Sequence, residues 1–106
     1  MNGTTKQVEW AENIRSAMMA KRDISESLAS EWEAEGLTDR AAPVRARTAS
    51  IEWDNENATY WIETFKHQVR RGENGEYWQE WAASKAGFPE MHRRNSLAAC
   101  ADEYIS

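Results

Sequence analysis

The segment from residue 44 to residue 69 carries a helical repeat that limits the possible folds more than any other feature. Its apolar positions follow one another at alternating steps of four and three residues, which is typical of one face of a long helix. The positions are Val44, Thr48, Ile51, Asn55, Ala58, Ile62, Phe65 and Val69, here called the second seam. Pro43 suits a first helical position, and Gly72 begins a turn. The pattern therefore predicts one unbroken helix from Pro43 to Arg71, with Asn55 as its polar seam member.

The N-terminal third repeats this arrangement. Thr4 and Gln7 fit a capping box at the start of a helix, and Gly36 is a natural C-terminal stop. Asp23 could begin a second helix, so a break near residues 22–23 stays open as an alternative. The apolar face, here called the first seam, holds one lysine and contains Trp10, Ile14, Ala17, Lys21, Ile24, Leu28 and Glu31/Trp32.

Two long helices joined by a short loop are expected to fold back as an antiparallel hairpin. A loop centred near residue 38 places Lys21 opposite Asn55, as a polar layer that fixes the register. Shorter helices are predicted at 76–86, rich in aromatic residues, and at 89–104. Strand-type runs are missing, and 106 residues suffice for one modest core. The prediction is an all-α single domain over 1–106, with a hairpin at 5–71 and C-terminal helices at 76–104.

Charge and the terminal segment restrict the partners and the compartment. The net charge is −5, from 13 basic and 18 acidic residues. Phosphate binding needs a concentrated basic surface, so nucleic acid is not expected as the main partner. The start of the chain lacks an apolar signal region, and no stretch reaches the roughly 18 apolar residues of a membrane span. We expect a cytoplasmic protein without a membrane partner, as a monomer or homodimer.

No motif in the chain predicts catalysis. Glu63 and His67 share a helix face, but His92 and Cys100 are too scattered to complete a zinc site with them. A single cysteine excludes an internal disulfide framework. No glycine-rich phosphate loop or nucleophile elbow is present. The sequence therefore predicts no enzyme, no catalytic residues, no cofactor and no metal.

Six tryptophans are the strongest compositional anomaly. Most are expected in the core, but Trp53 and Tyr60 fall on the opposite side of the predicted helix from the second seam. Either the C-terminal aromatic residues cover this stripe, or it is exposed as a protein-binding patch, where Trp and Tyr are favoured. Four basic residues also lie outside the seam. The candidate partner-binding residues are Trp53, Tyr60, Arg45, Arg47, Arg70 and Arg71.

The opening segment Lys6-Gln7-Val8-Glu9-Trp10-Ala11-Glu12-Asn13-Ile14-Arg15 resembles a known motif. It is similar to the Lys-Gln-x-x-Trp-Ala-x-x-Ile-Arg start of many small phage and plasmid proteins, including some phage anti-CRISPR proteins. Those proteins often carry a later Trp-Trp-Ile-Asp-like run, and Ala58-Thr59-Tyr60-Trp61-Ile62-Glu63 is similar to it, with Tyr for the first Trp and Glu for Asp. The resemblance covers about 16 of 106 residues and implies a helical hairpin and a mobile-element origin.

The leading functional hypothesis is an inhibitor that binds a host defence complex in the bacterial cytoplasm. CRISPR–Cas is the expected target, and inhibition is expected to be stoichiometric, through protein–protein contacts. The alternative is a nucleic-acid-associated accessory or regulatory factor of a mobile element. It would use three small basic groups, at residues 45–47, 66–71 and 93–94. A third option is a helical assembly protein of the virion or plasmid machinery.

Overall fold

A computed structural model describes residues 1–106 and contains five helices. They are α1 Thr5–Ala34, α2 Thr38–Ser50, α3 Ala58–Phe65, α4 Gly75–Lys85 and α5 Glu90–Ile105. The all-α prediction is confirmed, as is the packing of shorter C-terminal helices on a long first helix. With 30 residues, α1 spans the 45 Å length of the molecule. It packs against each of the other four helices, whereas the α3 backbone lies close to α1 alone.

Helix α1 begins and ends as its sequence predicts. The Gln7 backbone N–H donates to Thr4 Oγ1 at 3.2 Å, and the Thr4 N–H donates to Gln7 Oε1 at 3.0 Å, which forms the capping box. At the other end Gly36 has a φ of +81°, and the Leu37 N–H donates to the Trp32 carbonyl oxygen at 2.8 Å. A glycine tolerates this left-handed geometry without strain. The helix is continuous through Asp23, so the alternative of a break near residues 22–23 is wrong.

The predicted unbroken helix from Pro43 to Arg71 is wrong. Residues 38–50 form α2, with Pro43 inside it, and residues 58–65 form α3. Between them, Asn55 Oδ1 accepts from the Asn57 N–H at 2.8 Å, and Asn57 Oδ1 accepts from the Thr59 N–H at 3.0 Å. Asparagine side chains compete in this way with helical backbone bonds. The apolar spacing concealed this local preference.

The loop at residues 51–57 is held against the start of the chain. Arg15 Nη2 donates to the Trp53 carbonyl oxygen at 2.7 Å, and Arg15 Nη1 donates to Glu56 Oε1 at 3.1 Å. The Asn2 N–H donates to the Glu56 carbonyl oxygen at 2.7 Å, and the Ala58 N–H donates to the Asn2 carbonyl oxygen at 3.0 Å. Because the loop is fixed, the apolar residues of the second seam are buried on both sides of it.

The predicted polar layer of Lys21 and Asn55 is also wrong. The Lys21 side chain is fully buried, and its Nζ donates to the Gln68 carbonyl oxygen at 2.6 Å and to Glu103 Oε1 at 3.1 Å. It also lies 4.7 Å from the centroid of a Trp78 ring. Residues beyond the helix break and from α4 and α5 therefore surround this ammonium group. Two long helices paired in register could not provide these partners.

Helix α4 approaches α1 closely at Gly75. The Gly75 N–H donates to Ser16 Oγ at 3.1 Å, and a Cβ atom at this position would overlap Ser16 Oγ and lie 3.0 Å from the Ser16 carbonyl oxygen. Only a residue without a side chain allows this contact.

Gly75→Ala is therefore expected to lower the free energy of unfolding by about 1–3 kcal/mol, because α4 must move away from α1. Urea denaturation measures the loss. Gly87→Ala is the matched control, since a Cβ there meets no atom within 4 Å, and it is expected to be neutral or slightly stabilising. Equal effects of the two substitutions would contradict the close contact at Gly75.

No helix combines the length and the apolar character that are needed to cross a membrane.

Candidate partner-binding surface

Trp53 and Tyr60, two of the predicted partner-binding residues, are half-buried. Trp53 Nε1 donates to the Thr48 carbonyl oxygen at 3.0 Å, and the Arg22 guanidinium lies 4.6 Å from the centroid of a Trp53 ring. The Tyr60 hydroxyl accepts from the Glu52 N–H at 2.9 Å. The stripe is therefore covered by its own loop and by α1. The alternative in which the C-terminal aromatic residues cover the stripe is wrong, because α4 contacts α1 and α5 but not α3.

Arg45 and Arg47 connect helices. Arg45 forms ion pairs with Glu26 and Glu33 of α1. Arg47 Nε donates to the Tyr104 carbonyl oxygen at 3.1 Å, near the end of α5, and its Nη2 donates to Gln68 Oε1 at 3.0 Å. Both guanidinium groups therefore form ion pairs or hydrogen bonds within the protein. These bonds explain why the two arginines lie between helices, and no partner molecule is needed to explain it.

Arg70 and Arg71 point into solvent. The Arg70 side chain is 82% exposed, and its Nε lies 4.0 Å from Glu73 Oε1. Arg71 is exposed and has no acidic group within ion-pair distance. The irregular segment 66–74 carries both residues past the start of α1.

A cleft of about 510 Å³ lies between this segment and the first turns of α1. We call it the Trp10 cleft. It holds four cations and two carboxylates around a partly apolar surface. Its lining residues are Lys6, Glu9, Trp10, Asn13, Ile14, Lys66, Val69, Arg70, Arg71, Gly72 and Glu73.

Trp10, like Lys6, is a residue of this site that the sequence did not predict. It opens the first seam and was assigned to the core, but its side chain is 47% exposed. The reason is that α3 ends at Phe65, so no helix continues across from Trp10. Its position at the end of the first seam could have indicated this exposure, because the last residue of an apolar stripe has apolar neighbours on one side only.

The basic group at Arg93 and Arg94 holds α5 to α1. Arg93 Nη2 contacts Glu31 Oε1 and Glu90 Oε1, both at 2.7 Å, and Arg94 Nη1 contacts Glu35 Oε1 at 2.6 Å. The hydrogen bonds that Arg93 donates to Glu90 and Glu31 raise the pKa of Arg93, and the same bond to Glu90 lowers the pKa of Glu90. These cations are therefore already paired within the fold.

The Cys100 thiol lies in the core between α1 and α5. Burial raises its pKa to about 12, and the Lys21 ammonium group opposes this shift. Burial also raises the pKa of Tyr104, against a hydrogen bond with Thr48. A thiol in this environment stays protonated at neutral pH and is a poor nucleophile. No group of three or more His, Cys, Asp or Glu side chains converges as a metal site.

Stability is expected to fall in alkali for the same reason. Cys100 binds its proton more tightly in the folded state, so its contribution is complete below the unfolded pKa of about 8.5. The contribution is lost as the pH rises towards about 12. Urea titrations across this range should give a shallower decline for Cys100→Ala than for the parent. Parallel declines would contradict the raised pKa.

Comparison with known proteins assigns this chain to no family. No protein-family model, no curated protein and no solved structure matches the chain. The resemblance of residues 6–15 to phage and plasmid proteins therefore stays a prediction from sequence.

Proposed function

We propose that the protein is a phage or mobile-element inhibitor that blocks a host CRISPR–Cas complex by stoichiometric binding. The observation that carries the proposal is the Trp10 cleft, where an exposed indole shares the lining with two cations that have no acidic partner, Lys6 and Arg71. Exposed tryptophan next to arginine is typical of the residues that dominate protein–protein affinity. The resemblance of the opening segment supports the choice of target.

The cleft suits binding because its exposed side chains do little for the fold. Trp10 leaves nearly half of its surface in water, although an indole gains free energy from burial. Lys6 and Arg71 have no acidic group within ion-pair distance, while Arg45, Arg47, Arg93 and Arg94 are all engaged. A partner that covers the cleft would bury the indole and neutralise these charges.

Plaque formation tests the proposal directly. The gene is expressed in a panel of strains, each with one active type of CRISPR–Cas effector and a spacer against the infecting phage. We expect plaque formation to be restored on at least one strain, with no change for a phage that lacks the spacer's target. If the folded protein accumulates in every strain and restores plaques on none, CRISPR–Cas inhibition is wrong.

The second candidate is an accessory factor that binds single-stranded nucleic acid. The same cleft favours it, because an exposed indole can stack on a base and four cations can contact phosphates. Binding of this kind weakens with salt, by a slope of about 0.7 in log affinity for each neutralised phosphate. A short oligothymidylate titrated at several salt concentrations tests it. Tight, salt-dependent binding would support this candidate.

A further inference from the structure

The apolar surface of the Trp10 cleft is small and is formed by three residues. Ile14 and Val69 are buried residues at its inner side, and Trp10 forms an exposed wall. A volume of about 510 Å³ lies within the roughly 300–1,000 Å³ of small-ligand pockets. The cleft therefore suits one inserted side chain and its neighbours better than the flat face of a folded domain.

The charges around this surface are free to change partners. Arg70 has one long contact with Glu73, and Lys66 Nζ lies 3.4 Å from Glu63 Oε2, which is outside the cleft. The Lys66–Glu63 pair lies at the surface, and the Arg70 guanidinium is 82% exposed at 4.0 Å from its acid, so both contacts contribute little to stability. A carboxylate from a partner can therefore replace them at small cost.

The same cleft contains two carboxylates, which would repel the phosphates of a bound nucleic-acid strand. Glu9 is exposed, and Glu73 is buried where its Oε2 accepts from the Arg70 N–H at 3.2 Å. Cations therefore exceed acids by only two in the cleft. A nucleic-acid strand has a charge at every step, whereas a peptide can space its carboxylates to avoid Glu9.

We infer that the Trp10 cleft binds an acidic peptide segment of the partner protein, with an apolar side chain inserted between Trp10 and Val69. The partner's carboxylates lie against Arg70, Arg71 and Lys6. The inference rests on the proposed function, because it names the partner of the same surface. It goes further in specifying which chemistry the surface recognises.

The probe is a synthetic peptide with a central leucine flanked by two glutamates on each side. The indole N–H signal of Trp10, assigned from its loss in Trp10→Phe, reports binding in a nitrogen-15 correlation spectrum. We expect a saturable shift, and at least about tenfold weaker binding when glutamine replaces glutamate or glycine replaces leucine.

Variants locate the site. Arg71→Ala is expected to weaken peptide binding about tenfold, and Lys85→Ala is the matched control. Lys85 Nζ lies 4.9 Å from the centroid of the Phe88 ring, outside the cleft. The control is expected to bind as the parent does.

Three results would overturn the inference. They are equal affinity for the glutamine peptide, tighter binding of a short oligothymidylate, and no shift of the Trp10 signal at any peptide concentration. The peptide titration contains no CRISPR–Cas effector, and the plaque assay contains no peptide. Restored plaques without peptide binding would therefore refute the inference alone, and peptide binding without restored plaques would refute the proposed function alone.

Discussion

Replacing Trp61 by alanine is expected to lower the free energy of unfolding by about 3–5 kcal/mol. The side chain is fully buried, and its Nε1 donates to the Asn55 carbonyl oxygen at 2.8 Å. Its rings lie 5.3 Å from Tyr60 and 5.4 Å from Phe65 between centroids. The substitution would leave a large cavity and an unpaired carbonyl group in the loop at 51–57. The total free energy of unfolding of a small domain is roughly 5–15 kcal/mol. A loss of this size therefore removes a large part of the stability of the protein.

Urea denaturation followed by circular dichroism measures this loss. Trp10→Ala removes the same side chain from a half-exposed position, so a loss below about 1.5 kcal/mol is expected. Trp61→Phe keeps an aromatic ring but removes the N–H donor, and should fall between the parent and Trp61→Ala. Equal losses for Trp61→Ala and Trp10→Ala would contradict the assignment of Trp61 to the core and Trp10 to the surface.

The Trp10→Ala, Arg71→Ala double variant is expected to lose inhibition while it stays folded. Removing an aromatic anchor and an arginine from a binding surface typically costs about 2 kcal/mol or more, which is roughly thirtyfold in affinity. The concentration needed for half-inhibition of the target should rise by at least that factor. Competition against the parent protein on the purified effector measures it.

The control for this double variant is Phe88→Ala with Lys85→Ala, which removes an equally exposed aromatic residue and a neighbouring cation elsewhere. It should inhibit as the parent does. If both double variants retain full inhibition, the contact surface lies outside the Trp10 cleft. If the thermal melt shows that the Trp10 variant is unfolded, Arg71→Ala alone carries the test, since Arg71 is exposed and unpaired.

The helical class and the first helix could be predicted from sequence because their signals are local. The Thr4–Gln7 capping box and Gly36 mark the ends of α1 through bonds within a few residues. The second seam was different. Its spacing correctly marked buried positions such as Ile62 and Phe65, but burial does not require one continuous helix. Asn55 and Asn57 favour a break in the helix, but the regular apolar spacing led to the prediction of a continuous one.

The candidate site could be predicted only in part. Arg70 and Arg71 were expected at a binding surface, and they line the Trp10 cleft. Arg45 and Arg47 have the same local sequence character, but their partners Glu26 and Tyr104 are distant in sequence. Exposure of a charged side chain depends on such distant partners. Trp10 is exposed because α3 ends at Phe65 and no helix covers the indole. The local sequence around Trp10 does not show where α3 ends.

Titration of a purified effector tests stoichiometric contact inhibition most directly. The effector is the CRISPR–Cas complex that the plaque assay identifies, and its DNA cleavage is measured against increasing amounts of the protein. Activity is expected to fall linearly, reach its minimum at a fixed molar ratio, and stay constant on longer incubation. Recovery of full activity after the protein is removed should accompany this result. Complete inactivation that progresses with time at a small molar fraction would show turnover and would contradict inhibition by contact.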